Sequence, residues 1–376
     1  FFPPPQAIPD PLWSRGLGDV YKRQFLARVR WLLNLAHMTI NGYPSRVPEE
    51  HLIPPSAFES DEPWPRFVNI APRLDLDTFN LAGGVIVDDF DGDNLLDIVS
   101  STFDPRGPMR YFRNTGKGRF QERSRQAGLS GLTGGLNMEQ ADYDNDGLID
   151  LYVCAYVNED NGNSIGTDSN EFVYHDAENG ASNTMYKNVT KGIGKISFLD
   201  VTDEVGLNVN NSRWSFAASW EDYDNDGDQD LYVANDYGRN NLYNNDKGKF
   251  TDLASKTYSE DSASGMSVAW ADYDKDGNMD IYVSNMFSAA GNRITNQKQF
   301  KSSTQQSVRE IFRRFARGNT LLRNVDGNFQ DTSLLAGVNI GRWAWGSNFI
   351  DFNNDTFPDL VVANGYLTSK DESGDL

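Results

Sequence analysis

The residues best placed to do chemistry in this chain are carboxylates at a fixed spacing. Asp142, Asp144, Asp146 and Asp150 occupy positions 1, 3, 5 and 9 of a nine-residue stretch, with Gly147 at position 6. The pattern returns as Asp222, Asp224, Asp226 and Asp230 around Gly227, and as Asp272, Asp274, Asp276 and Asp280 around Gly277. A looser copy holds Asp89, Asp91, Asp93 and Asp97, with Asn94 in the glycine position. A weaker one holds Asp351, Asn353, Asp355 and Asp359, with the β-branched Thr356 there. Loops repeated in register mark a repeat architecture with a metal in each unit.

The chemistry is that of a hard cation. Ca²⁺ takes six to eight oxygens at about 2.3–2.6 Å. Alternating aspartates in a tight loop converge on one point, a main-chain carbonyl at position 7 adds an oxygen, and the aspartate at position 9 closes the shell. Position 6 must turn sharply, which glycine permits and asparagine tolerates. Without a cation the carboxylates repel one another. At about 4 Å each pair costs about 1 kcal/mol in water and about 4 kcal/mol at an effective dielectric of 20. Ca²⁺ is therefore the expected cofactor, about one per repeat, in four to five sites. An EF-hand would need flanking helices and a glutamate at position 12. That position holds Ser100, Val153, Val233, Val283 and Val362. Magnesium keeps its waters and suits an all-protein cage less well.

Composition agrees. The net charge of −20 over 376 residues argues against nucleic-acid binding, which wants a basic face. Five bound Ca²⁺ would offset half of that charge. Cys154 is the only cysteine, so no intrachain disulfide can form; it sits in an apolar strand run and reads as a buried thiol. No stretch reaches the roughly 20 apolar residues of a membrane span.

The elements that position the loops are strands. In the third unit Trp214–Glu221 leads into the acidic loop, Leu231–Ala234 leaves it, and Asn241–Asn244 and Lys249–Leu253 follow. Four strands in about fifty residues make the unit of a propeller blade. The later strands of the other units are expected at Met109–Arg113 and Phe120–Ser124, Thr184–Asn188 and Ser197–Thr202, and Thr320–Asn324 and Phe329–Thr332. The second strands are apolar without clean alternation, which suits strands covered on both faces. The blade region is expected over 66–376. It opens with a fourth strand at Phe67–Ala71 and ends in half a blade, Trp343–Ile350, loop 351–359 and Leu360–Ala363. Two units carry inserts between their second and third strands. One is 155–183; the other is 285–318, with a helix expected at 303–316.

Residues 1–24 do not pattern with the rest and read as a non-native leader. Over 25–40, Phe25, Val29, Leu32, Leu33 and Ala36 share one helical face, and a proline-rich wrap follows to 65. His37 reads as a packed or surface histidine. The chain opens on Phe1 and stops within a blade, so a fragment is expected and no signal peptide can be judged.

Asp-x-Asp-x-Asp-Gly-x-x-Asp followed by Leu-Tyr-Val, then Asn-x-Leu-Tyr-x-Asn, Gly-x-Phe-x-Asp and Ala-Gly-Leu/Val, resembles the FG-GAP/VCBS repeats of integrin-α-type β-propellers. Asp176–Asn183, Gly341–Gly346 and Ala363-Asn-Gly365 are similar to the cartilage-acidic-protein, ASPIC/UnbV-type group. The resemblance implies an all-β fold, a β-propeller of four-stranded blades. About four and a half of seven blades would be present, with a short N-terminal helix and one helical insert. It also implies that the acidic hairpins lie on one face and the inserts on the other.

The implied role is non-catalytic: a calcium-binding propeller, secreted, periplasmic or on the cell surface, in adhesion or in recognition of an extracellular protein or glycan. The alternative is a propeller-fold polysaccharide lyase or hydrolase with structural calcium. An assembly or export accessory is a third reading. The repeat region offers His175 and Cys154 but no Gly-x-Ser-x-Gly elbow, His-Glu-x-x-His or P-loop. Trp214, Trp220, Trp270, Trp343 and Trp345 sit on or before first strands, where packing between blades accounts for them; Trp343 and Trp345 could instead stack on sugars.

Overall fold

The computed structural model describes residues 26–27, 29–59, 67–78, 80–131, 134–157 and 176–364. The leader 1–24, Phe25 and most of the first insert, with His175, lie outside the described residues. The chain forms two compact units, Phe1–Asn69 and Ile70–Leu376.

In the first unit a helix, α1, runs over 29–39. Its apolar face is not the buried one. Val29 and Leu32 are exposed, whereas Asn34 is completely covered. The reason is backbone satisfaction. Asn34 Nδ2 donates to the carbonyls of Arg30 and His51, both at 2.8 Å, and Asn34 Oδ1 accepts from Ile53 N at 3.0 Å. These bonds draw the following chain onto the polar side of α1. The expected extended wrap is therefore partly 3-10 helix, at Glu49–His51 and Pro55–Phe58.

The second unit is built of antiparallel four-stranded sheets. Blade 1 is β1 (Val85–Asp88), β2 (Asp97–Ser100), β3 (Arg110–Asn114) and β4 (Phe120–Glu122). Blade 2 is β5 (Gly135–Ala141), β6 (Asp150–Ala155), β7 (Thr184–Asn188) and β8 (Phe198–Asp200). Blade 3 is β9 (Trp214–Glu221), β10 (Asp230–Asp236), β12 (Asn241–Asn245) and β13 (Phe250–Asp252), with β11 (Gly238–Arg239) paired to β14 (Ser262–Ala263) beside it. Blade 4 is β15 (Gly265–Ala271), β16 (Asp280–Asn285), β17 (Thr320–Val325) and β18 (Asn328–Asp331). A two-stranded pair follows, β19 (Ala344–Ile350) and β20 (Asp359–Asn364). These are the all-β propeller blades expected from the repeat.

One expected strand is absent. Residues 67–70 form no strand and Ala71–Arg73 is a 3-10 turn. Among the described residues no strand is paired with this segment, and Pro72 lacks the amide a ladder would need. Sequence reading also missed a short helix after each fourth strand: α2 (Ser124–Ala127), α3 (Thr202–Val205) and α4 (Ala254–Thr257) in blades 1 to 3. The insert of blade 4 holds two helices, α5 (Ala289–Thr295) and α6 (Gln306–Arg317), where one was expected, and α7 (Ser333–Ala336) closes that blade. Helices α2, α3 and α7 stop at Gly128, Gly206 and Gly337, each in the left-handed region.

The core lies between blades. Strands β6, β10 and β16 are buried at every residue. An aromatic at loop position 2 packs on the fourth-strand phenylalanine of the next blade: Phe90 on Phe198, Tyr143 on Phe250 and Tyr223 on Phe329, with ring centroids 5.7, 5.7 and 5.8 Å apart. Trp220 and Trp270 pack edge-on to Tyr152 and Tyr232 of the preceding blades. Trp214 meets Tyr156 at 5.0 Å, and Trp345 lies 5.9 Å from Phe216.

Candidate metal centres

Each acidic loop joins the first and second strands of its sheet, and the five loops share one internal geometry. The position-1 carboxylate caps the turn. Asp142 accepts from Asp146 N and Gly147 N at 2.9 and 2.8 Å, and Asp222 and Asp272 repeat this at 3.0 Å. Asp89 accepts from Asp93 N and Asn94 N at 3.1 and 2.7 Å. Asp351 accepts from Asp355 N and Thr356 N at 3.0 and 2.8 Å. The position-5 carboxylate accepts from the amide two residues on, as Asp146 does from Leu148 at 3.0 Å and Asp355 from Phe357 at 2.8 Å.

These bonds need left-handed backbone at two positions. Position 6 is positive in φ at Asn94, Gly147, Gly227, Gly277 and Thr356. Position 4 is too, at Gly92, Asn145, Asn225, Lys275 and Asn354. The asparagines at position 4 were the signal for this second turn, and the sequence reading did not use it.

The geometry brings carboxylates together in four loops. Ligand atoms of Asp89, Asp91 and Asp93 lie within 4.8 Å of one another, as do those of Asp142, Asp144 and Asp146, and of Asp272, Asp274 and Asp276. In the third loop the gathered set is Asp222, Asp224 and Asp230. Among the described residues no such acidic triad forms at Asp351, Asp355 and Asp359. There Asn353 Nδ2 donates to Asp355 Oδ2 at 2.9 Å, an amide contact where the other loops carry a third carboxylate.

The oxygens fit a cation. Asp91, Asp144 and Asp274, all at position 3, each keep a buried Oδ1 with no hydrogen-bond partner. A buried orphan acceptor costs stability unless a donor or cation meets it. Together with the clustered charge this makes the loops fit to hold a hard divalent ion, which would neutralise them.

The position-9 aspartate does more than line a site. Asp97, Asp150, Asp230 and Asp280 are completely buried. Asp150 accepts from Asn188 N at 2.6 Å and Asp280 from Asn324 N at 2.7 Å, so each braces its loop to the third strand. Burial, opposed by these amides, pushes the carboxyl up to about 7 at Asp150, about 8 at Asp230 and about 6 at Asp280.

A third-strand side chain reaches back into each of these four loops, which the sequence reading did not anticipate. Arg113 Nε bonds Asp91 Oδ2 at 2.8 Å and its guanidinium also meets Asp93. Lys187 Nζ pairs with Asp144 and, at 3.0 Å, with Asp146. Arg323 pairs with Asp274 and, at 2.9 Å, with Asp276. In blade 3 the reaching residue is neutral: Asn244 Nδ2 donates to Asp224 at 2.8 Å and to Asp230 at 3.2 Å. Asp224 is held above its ordinary range by burial and by the charges of Asp226 and Asp222. Cys154 is buried, and burial raises its thiol well above the usual value.

Comparison with known proteins gives the following. A search of curated proteins found no match. Among solved structures, the crystal structure of BBS1N in complex with ARL6DN, soaked with lead, is similar at 11% identity and a TM-score of 0.34, over 67% of this chain and 56% of that one. The crystal structure of the V. cholerae biofilm matrix protein Bap1 is similar at 14% identity and a TM-score of 0.27, over 57% of this chain and 36% of that one. This chain thus spans a little over half of the first and about a third of the second. Residues 89–153 and 222–283 match the FG-GAP-like repeat family, each match running from one acidic loop to the second strand of the following blade. Two regions of this chain are FG-GAP-like repeats, and each begins at an acidic loop.

Proposed function

We propose that this protein is a non-catalytic, calcium-stabilised recognition scaffold working outside the cytoplasm, secreted, periplasmic or on the cell surface, in adhesion or in binding a protein or glycan. Weak calcium sites fill at extracellular calcium levels and stay empty at cytosolic ones. The ligand sets are Asp89, Asp91, Asp93 and Asp97; Asp142, Asp144, Asp146 and Asp150; Asp222, Asp224, Asp226 and Asp230; Asp272, Asp274, Asp276 and Asp280; and, with an amide, Asp351, Asn353, Asp355 and Asp359.

One observation carries the recognition reading. An antiparallel meander returns alternate connections to opposite ends of the sheet. The inserts after β6 and β16 therefore leave from the end opposite the acidic loops. The insert of blade 4 carries Arg293, Lys298, Lys301, Arg309 and Arg313 beside the acid Glu310, on a chain of net charge −20. Arg314 and Arg317 are engaged with Asp261 and Asp331. An anionic partner suits this face, and loops on a rigid scaffold commonly carry function.

The test is a glycan and protein binding screen on the full chain, with Arg293, Lys298 and Lys301 changed together to Ser. Binding should fall at least tenfold while the calcium-dependent rise in melting temperature persists. Unchanged binding would remove the insert from the partner surface. Equal melting curves in calcium and in chelator would sink the structural-metal reading. A cavity of about 460 Å³ lined by Asp200, Asp203, Glu204 and amide side chains is where the polysaccharide-cleaving alternative would be sought. Turnover abolished by Asp203→Asn would favour that alternative.

A further inference from the structure

The residue just before the third-strand asparagine is cationic in three blades and neutral in one. Arg113, Lys187 and Arg323 precede Asn114, Asn188 and Asn324, while Asn244 precedes Asn245. All four side chains reach the position-3 carboxylate of their own loop. The three cations also touch the carboxylate at position 5. They therefore sit on oxygens that a metal would use.

The position-3 carboxylate shows both demands at once. Asp91 is 5% exposed; its Oδ2 is taken by Arg113 and by Gly194 N, and its Oδ1 is buried without a partner. Asp144 and Asp274 leave the same oxygen orphaned beside Lys187 and Arg323. A tethered monocation satisfies one side of the carboxylate and not the other. The loop without a cation is arranged differently: its gathered carboxylates are Asp222, Asp224 and Asp230, so the position-9 group joins the set only there.

We propose that this third-strand residue sets the divalent-cation affinity of each blade. Asn244 makes 222–230 the tightest calcium site. Arg113, Lys187 and Arg323 are tethered counter-ions that weaken calcium binding at 89–97, 142–150 and 272–280 and hold those loops together when the ion is absent. The physical basis is Coulombic. A fixed positive charge a few ångströms from a divalent ion repels it, and it neutralises carboxylates whose repulsion the ion would otherwise relieve. The effect of one such charge on affinity is roughly tenfold or more at a partly buried site. The sites then fill in order as calcium rises, blade 3 first.

The inference rests on the reading of the loops as calcium sites, and the experiment separates the two. Calcium is titrated calorimetrically into the full chain freed of metal, and melting is followed in chelator and in calcium. Wild type should show one tight site and a weaker class. Asn244→Lys should abolish the tight class and raise the melting temperature in chelator. Lys187→Asn should convert one weak site into a tight one and lower the melting temperature in chelator. If Asn244→Lys fails to fold, Lys187→Asn and Arg323→Asn carry the test alone. Calcium binding with unchanged affinities in those variants would overturn the counter-ion role and leave the calcium reading intact. No heat and no melting shift in wild type would overturn both.

Discussion

Asn245 Nδ2 on β12 donates to the main-chain carbonyl of Tyr143 at 2.8 Å, joining the third strand of blade 3 to the acidic loop of blade 2. Its backbone N–H donates to Asp230 Oδ1 at 2.8 Å in its own blade, and its Oδ1 accepts from Gly248 N at 2.7 Å. Asn188 reaches Phe90 O at 2.9 Å and Asn324 reaches Tyr223 O at 2.8 Å in the same way. In blades 2 to 4 one asparagine thus couples two successive loops. Asn245→Ala would leave the Tyr143 carbonyl and Gly248 N–H without partners in a buried setting, a loss on the order of 3 kcal/mol. Asn114, whose Nδ2 bonds Leu96 O within its own blade, should cost about 1 kcal/mol. Denaturant unfolding of the two alanine variants in calcium measures both; equal losses would contradict the inter-blade role.

Glu139 on β5 is largely buried, and burial pushes its carboxyl up to about 7, an effect that the Asn137 hydrogen bond only partly offsets. The folded state therefore prefers the protonated acid. Its contribution is fully present below the ordinary value of about 4.5 and is lost as pH rises through about 7. Glu139→Gln should remove that loss, gaining on the order of 2 kcal/mol over wild type at pH 8 and little at pH 4. Melting curves at both pH values and constant calcium decide it; a variant no better at pH 8 would show that Glu139 is solvated.

Arg314 on α6 pairs with Asp261, whose side chain is fully covered and also accepts from Asn285 Nδ2 at 2.9 Å and Thr320 Oγ1 at 2.6 Å. The pair seats the helical insert on the blades. Arg314→Met would strand a buried charge at a cost of about 3–5 kcal/mol. Arg313, which donates to Thr295 O at 3.3 Å, should cost under about 1 kcal/mol on the same change. Chemical denaturation separates them, and similar losses would argue against the seating role of Arg314.

Thr356 takes the glycine position of the fifth loop at a φ of 75°, where a β-branched residue is strained. Thr356→Gly should stabilise the loop by about 1 kcal/mol. Calcium-saturated melting of the variant should rise by a few degrees; a fall would mean that Thr356 Oγ1, which accepts from Lys275 Nζ at 2.7 Å, outweighs the strain.

The sequence by itself determined the blades and the carboxylate triads. Both are local: alternate aspartates, a turn residue and flanking apolar runs lie within one hairpin, so spacing alone places Asp142, Asp144 and Asp146 together. It also placed β9 and β7 at their observed ends. Only the tertiary structure decided what approaches the loops from outside. Arg113, Lys187 and Arg323 come from a strand two elements away, and Asn245 meets Tyr143 across a blade boundary. The burial of Asn34 instead of the apolar face of α1 follows from amides at His51 to Ile53 that no helical period reports. Side chains that bridge distant segments obey distance and desolvation in three dimensions, and a periodic reading of one segment carries neither.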